Sequence, residues 1–507
     1  MDWKRIKSSS AILTGIIIFS KLLGMLRDVV LANYFGTSSI SDAYLTASTV
    51  PTLLFYFIGH ALSTAFLPMY SNMKLSQGKE KADGYANNLL TVSLLLSTVL
   101  VVLLVCWPSW IIRIFAPGFH WETVELAASF VRSSALSLYF MTAVSVWTGY
   151  LQATNNFIIP ASISVPRNLI VMCSISLAAI WDMRILGVGL LLAYIAEALL
   201  LYPFVRKEGY RMQLAVDWQS SELRETLYIV LPILLGTSVG QINKFIDKAL
   251  ASTLAEGAVS AMSYASVINN AIQEVLSTGL ITILFADCSH LVSKGEHALV
   301  KRKLLNVTNI FVVLLIPASV GILLLSSQIV TALLCRGSFD AESVRMTTAA
   351  LQCYTVGLCF LAVRDTLVKI FYAYKMTKLV TRATVASVIM GVILKLVLCK
   401  PFGMYGLAIA TSLSAVIHCV MLYILLYLKK GALGTKQLFV TIVKSLLATT
   451  VMAVAVVWIR DGMKMYADIW QLVICALVGV MIYGVAAILL GIPCVCNMFR
   501  KKEKLVE

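Results

Sequence analysis

Charge is what this chain has least of. Charged residues make up 13% of its 507 positions, where a water-soluble domain carries about 25%. That leaves too little polar material to cover a globule of this size in water. No segment reads GxxxxGK[ST], so nothing marks a nucleotide-driven pump. The 11 cysteines are scattered through apolar runs. Only Cys494 and Cys496 stand close, and their spacing is too tight for an ordinary zinc pair. Neither a disulfide framework, a metal site nor a cofactor is expected. Loops between apolar runs reach roughly 15 residues, too short for a catalytic domain in water. A protein that is not an enzyme is expected.

Apolar residues fill the space instead, at 59%. Residues 89–107, 170–180, 185–201, 310–325 and 474–492 are nearly free of charge. A membrane-spanning helix needs about 20 mostly apolar residues, because it satisfies its own backbone in hydrocarbon. The pattern predicts an all-α polytopic membrane protein with about 14 spans. They fall at 8–35, 41–70, 86–112, 122–153, 158–181, 185–206 and 222–253, then at 258–292, 302–327, 341–375, 379–400, 404–429, 436–460 and 467–496. The first stretch carries Lys21, Arg27 and Asp28 and lacks a cleavage site, so it reads as a mature helix rather than a signal peptide.

A net charge of +16 would suggest nucleic acid on a soluble protein. Here Lys and Arg crowd into alternate loops, about 23 on one side against about 7 on the other. No nucleic-acid partner is expected. Both termini, including the basic tail at 500–504, are expected in the cytoplasm of a bacterial cell.

The sequence also repeats. The stretch IIRIFAPGFHWETVELA ends the third span, and IVTALLCRGSFDAESVRM ends the ninth. Phe119 and Phe339 then lie about 220 residues apart. Tyr150 with Phe371, and Asp28 with Asp247, keep that offset to within one residue. A duplicated six-helix unit is expected, with lobes at 1–215 and 216–432 and a closing pair of helices at 433–507. An even helix number makes the repeats parallel, which is a transporter architecture.

Ionisable residues at helix depth cost about 2.5–3.5 kcal/mol on insertion scales and usually mark a site or pathway. Span 1 holds Lys21, Arg27 and Asp28, and Asp42 opens span 2. Span 7 holds Lys244, Asp247 and Lys248, with spacings of three and four on one face. Glu274 and Asp287 lie in span 8, Arg364, Asp365 and Lys369 in span 10, and Lys395 in span 11. Positive charge predominates, which suits an anionic substrate such as a phosphate. Internal pairing, Lys244 or Lys248 with Asp247 for instance, is the alternative. A carrier of cationic drugs would call for the opposite sign.

The stretch FSKLLGMLRDVVLANYFGTSSISDAYLTASTVPTLL at 19–54 resembles the opening of the MurJ/MviN family of lipid II flippases, within the multidrug/oligosaccharidyl-lipid/polysaccharide exporter superfamily. Phe19, Ser20, Lys21, Leu23, Gly24, Arg27, Asp28, Ala32, Phe35 and Gly36 carry the likeness, with AFLPMYS at 65–71 and APGF at 116–119. The resemblance implies two lobes around a cationic cavity and a groove for a lipid tail on helices 13 and 14. It implies a lipid-linked glycan diphosphate as cargo, within the membrane lipid. By position, Lys21 and Arg27 would contact the diphosphate and Asp42 would stand at the cavity mouth. Asp28, Lys244, Lys248, Arg364 and Lys369 complete the expected lining.

Phe55 and Tyr56 stand where the family carries an arginine in helix 2, and Val267 stands where it carries one in helix 8. Another polyprenyl-linked glycan, or a scaffold that docks cell-wall synthesis enzymes without transport, is therefore an alternative. Some relatives resemble sodium-coupled carriers, with an acid on helix 7 and polar partners on helix 11. Asp247 matches the first, while Gly391 and Lys395 replace the second. The expectation is that the Lys395 ammonium takes the cation's place and pairs with Asp247. The alternative is a lysine snorkelling to the interface near Lys400.

Overall fold

The computed structural model describes residues 3–431, 434–463 and 466–492. The basic tail at 500–504 and the Cys494/Cys496 pair lie outside the described residues. Among those described there are 17 helices and no strand.

The chain begins with α1 (Trp3–Phe35), α2 (Ser39–Ser76), α3 (Lys79–Cys106) and the short α4 (Pro108–Phe115). It continues with α5 (Trp121–Ser134), α6 (Ser137–Ala153), α7 (Ile158–Ser162), α8 (Ser164–Ile180) and α9 (Ile185–Lys207). Then come α10 (Ser221–Ser252), α11 (Ala258–Ser293), α12 (His297–Leu334), α13 (Ala341–Thr355) and α14 (Leu358–Ala373). The last helices are α15 (Thr377–Lys430), α16 (Thr435–Gly462) and α17 (Asp468–Leu489). Each of the fourteen expected stretches falls on one helix or on a consecutive group. Among the described residues eight helical stretches are long and apolar enough to cross a membrane, or nine if α13 and α14 count as one bent span.

Local chemistry explains the boundaries. Ser38 and Ser41 form a capping box at the start of α2. Pro108 opens α4, where a missing N–H does no harm. The Asp340 carboxylate accepts from the Ser343 amide and caps α13. That contact, with Asp340 itself in the loop, holds its acidity stronger than usual. The 54-residue α15 is two helices: Gly403, at φ 54 and ψ −130, kinks it just after Pro401. The kink falls between the expected spans 379–400 and 404–429.

The fourth and tenth spans are both broken, the tenth by a 46° bend between α13 and α14. Asn155 and Lys375 are the non-glycine residues with positive φ among those described, at 63° and 58°. Each ends a helix at matching places in the two halves of the sequence. The same irregularity at the same offset is what a duplicated unit produces.

By their contacts the residues fall into two compact units. One lies within Met1–Ser260 together with Arg336–Phe339, the other within Ala261–Cys335 and Asp340–Glu507. The first is built on an aromatic cluster. Phe66 stacks on Tyr70 and Tyr85, and Tyr150 meets Tyr70 and Tyr210 edge-on or tilted. In the second, Leu304, Leu367, Phe371 and Leu422 form one core. A further core joins α12 to α16 and α17 through Val313, Met452, Cys475 and Tyr483. Large apolar side chains such as Val99, Val454, Trp458, Leu477 and Val480 face outward, as a hydrocarbon solvent requires.

An extended strap of residues 210–217 crosses α3. Asn87 Oδ1 accepts from the Tyr210 hydroxyl at 2.7 Å and the Gln213 amide at 3.1 Å. Asn88 exchanges two hydrogen bonds with the Asp217 backbone, both at 2.9 Å. Asn88→Ala removes both, a loss of about 2 kcal/mol. Hydrogen exchange at the Asp217 amide should accelerate roughly 30-fold. Unchanged protection there would mean that the strap is held by other contacts.

Candidate functional site

In the first unit α1 packs against α8, and Arg27 sits at that junction. Its Nε and Nη2 donate to Asp28 Oδ1 at 3.0 and 2.7 Å. Its Nη1 donates to Asn168 Oδ1 at 3.5 Å, and Asn168 Nδ2 donates to the Ser20 carbonyl at 3.4 Å. The Arg27 side chain stays 32% exposed while the Asp28 side chain is only 10% exposed. The acid is the more withdrawn partner of the pair. Lys21 lies nearly two turns earlier on α1 and is exposed.

Beside Asn168, Arg167 forms an ion pair with Glu197 of α9 at 3.1 Å. The same guanidinium lies over the Tyr194 ring, 5.9 Å from its centroid. Tyr194 OH lies 3.5 Å from Thr52 Oγ1 on α2. Arg167, Asn168, Tyr194 and Glu197 were not expected as site residues. The available signal was Glu197, a lone acid in the apolar run 185–201.

Further along, Lys248 of α10 turns toward α2. Its Nζ donates to the Leu45 carbonyl at 2.6 Å and to Thr49 Oγ1. Asp247 is half-buried beside it, and Lys244 is exposed. Asp42 is buried, and both its oxygens meet backbone N–H groups. Oδ2 accepts from Gly257 at 2.9 Å and Oδ1 from Ser260 at 2.7 Å. A carboxylate from α2 thus caps the first turn of α11.

Around that cap four loops meet as closely as backbones can. At Gly257, with φ +79, an added Cβ would lie 2.4 Å from the Thr37 carbonyl. At Gly36, with φ +54, it would lie 2.4 Å from the Ser338 carbonyl. The Ser338 amide donates to the Asn33 carbonyl at 2.8 Å. Glu256 Oε1 accepts from the Ser39 amide at 3.0 Å, and the Gly118 amide donates to Ser252 Oγ at 3.2 Å. Only glycine permits these approaches.

In the second unit Arg364 donates to Asp365 Oδ1 through Nε and Nη2, at 2.9 and 2.6 Å. Gln273 of α11 donates to the other oxygen at 3.0 Å. Lys369 lies over the Phe285 ring at 5.4 Å. Asp287 pairs with Lys303, and Glu274 is exposed. Lys395 is 0% exposed. An apolar hollow of about 280 Å³ is lined by Val451 of α16 and by Met481, Ile482, Val485, Ala486 and Leu489 of α17. Among the described residues no group of His, Cys, Asp and Glu could hold a metal.

Within the first unit Lys248 lies within electrostatic reach of both Asp28 and Asp42. Arg27 and Asp28 gather with Asn168. Asp42 and Lys248 serve contacts of α2 with the segment 248–260. Arg364, Lys369 and Lys395 belong to the second unit, and Asp247 to the first.

A family model described as lipid II flippase MurJ matches residues 31–477. The chain is similar to the probable lipid II flippase MurJ of Thermotoga maritima, 28% identical over 480 residues and 94% of each chain. It is also similar to that of Rickettsia prowazekii, 26% identical over 423 residues and 82% of each. The fold matches a solved lipid II flippase MurJ in an inward closed conformation, with TM-score 0.81, 23% identity, and 94% of this chain and 97% of that one covered. It also matches an inward-facing MATE family transporter of the MOP superfamily, with TM-score 0.71, 15% identity, and 84% and 99% covered.

Proposed function

Because the chain belongs to the lipid II flippase MurJ family, we propose that it carries lipid II from the inner to the outer leaflet of the bacterial cytoplasmic membrane by alternating access. The observation that carries this reading is Arg27. It is a forked cation at helix depth whose counter-ion is buried behind it, leaving donors for a diphosphate. Lys21 approaches the same ligand from the same helix. Lys244 adds positive charge to the first unit, Arg364 and Lys369 add it to the second, and the hollow along α16 and α17 suits an apolar tail.

Fourteen crossings with both termini in the cytoplasm place the loops at 36–38, 116–120, 253–257 and 335–340 on the outer side. The knot around Asp42 is then the outer closure. Asp42 and Lys248 serve that closure rather than the head group. Lobes at 1–215 and 216–432 move against each other, with energy from the membrane potential or an ion gradient.

The test is rescue of cells depleted of their own lipid II flippase. The unmodified chain should restore growth. Arg27→Ala should lower rescue at least 100-fold, since a buried charge-assisted contact is worth about 3 kcal/mol. An unmodified chain that inserts and does not rescue would exclude lipid II as cargo. The alternative is then another polyprenyl-linked glycan, which Phe55, Tyr56 and Val267 at the family's arginine positions favour.

A further inference from the structure

We infer that Arg167 is a second diphosphate-binding arginine, and that it forms with Arg27 a two-arginine clamp whose counter-ions, Asp28 and Glu197, are buried behind it. This rests on the reading above and deepens it.

Three observations carry the inference. First, the two pairs share one design. The side chains of Arg27 and Arg167 are 32% and 35% exposed, while those of Asp28 and Glu197 are 10% and 2% exposed. In both pairs the acid is the more withdrawn partner. Second, the two arginines share neighbours. Asn168, the neighbour of Arg167 on α8, accepts from Arg27 at 3.5 Å. Tyr194 lies between them, its ring under Arg167 and its phenol within electrostatic reach of Arg27. Third, Glu197 holds Arg167 by charge without aligned hydrogen bonds. The contact is 3.1 Å, yet Glu197 Oε1 receives no hydrogen bond of proper geometry. Donors that are steadied but not locked are what an incoming anion can recruit.

An ion pair is also a poor device for merely joining two helices. Desolvation opposes it, and an apolar pair of similar volume would hold α8 to α9 at least as well. A ligand changes that balance. Two phosphoryl groups give two forks their own oxygens, whereas a monophosphate satisfies only one. Arg167 would thus supply the guanidinium that positions 55, 56 and 267 lack. Glu197 is a positioning residue, acting through Arg167.

The experiment compares farnesyl diphosphate with farnesyl phosphate on the full-length chain in nanodiscs, by native mass spectrometry and by competition. The unmodified chain should prefer the diphosphate at least tenfold. Arg167→Lys keeps a charge for Glu197 but loses the fork, and should reduce that preference several-fold. The double variant Arg167→Met/Glu197→Gln leaves no orphaned buried charge. It should melt close to the unmodified chain and show no preference. If both variants discriminate as the unmodified chain does, the pair is structural and the clamp is wrong while the flippase reading stands. If the unmodified, folded chain binds neither probe, the reading beneath fails and the clamp fails with it.

Discussion

Asp42→Ala should abolish flipping while leaving the chain folded and inserted. The carboxylate accepts two backbone N–H groups at the start of α11, from a helix more than 200 residues away in sequence. Hydrogen bonds to a charged group contribute about 1.5–3 kcal/mol each. Losing both costs the closed state about 3 kcal/mol or more, over 100-fold in the balance between closed and open forms. A carrier that cannot re-form its outer closure cannot complete a cycle. The check is a cysteine at Ala258, which is 0% exposed within the knot. With Asp42 intact, A258C should resist a membrane-impermeant thiol reagent added outside; with D42A it should react. Asp42→Asn keeps one acceptor oxygen and should fall between. Continued flipping by D42A, with A258C still protected, would remove Asp42 from the closure.

Gly257→Ala should be nearly as severe, for a steric reason. Left-handed backbone costs a residue with a side chain about 1–2 kcal/mol. Here the new Cβ also meets the Thr37 carbonyl at 2.4 Å, so one loop must retreat. Flipping should fall roughly 10- to 100-fold, the range spanned by about 1.4–2.8 kcal/mol. Gly295→Ala is the control. Its φ is +76 at the end of α11, but nothing lies within 4 Å of the added atom, so it bears the torsional cost alone and should retain most activity. Because Asp42 and Gly257 hold one contact, the double variant should be little worse than D42A. Full additivity would mean that the two act at separate places.

Hydropathy located the helices well, because a lipid solvent forces long apolar runs that no loop can imitate. Positions of breaks were less legible. Spans four and ten break at Ala135–Leu136 and Val356–Gly357 without a proline, and Asn155 turns left-handed without being glycine. Charges on α1 stood out because ionisable residues are rare at that depth. Their partners did not. Asp42 reads equally well as a cavity-mouth acid and as a cap, and only its contact with Gly257 and Ser260 distinguishes them. Lys248 shares a face with Lys244 and was weighed against Asp247, yet its ammonium lies across the interface on α2. Arg167 and Glu197 sit in different spans, 30 positions apart, and no spacing rule links residues on two helices.

The strap on α3 limits how that closure can open. Asn88 fixes the backbone at Asp217, and its Nδ2 also reaches Ser220 Oγ at 3.5 Å. From Asp217 to the start of α10 at Ser221, a fully extended chain spans roughly 14 Å. One end of α10 is therefore on a short leash. Its other end, at Ser252, lies in the glycine knot. A helix of that length is a lever of about 48 Å. Tilting such a lever by about 10° about its leashed end carries the far end through about 8 Å, enough to part contacts made at hydrogen-bond distance. Small rotation at the leashed end becomes full separation at the knot, and the travel is bounded by two asparagines.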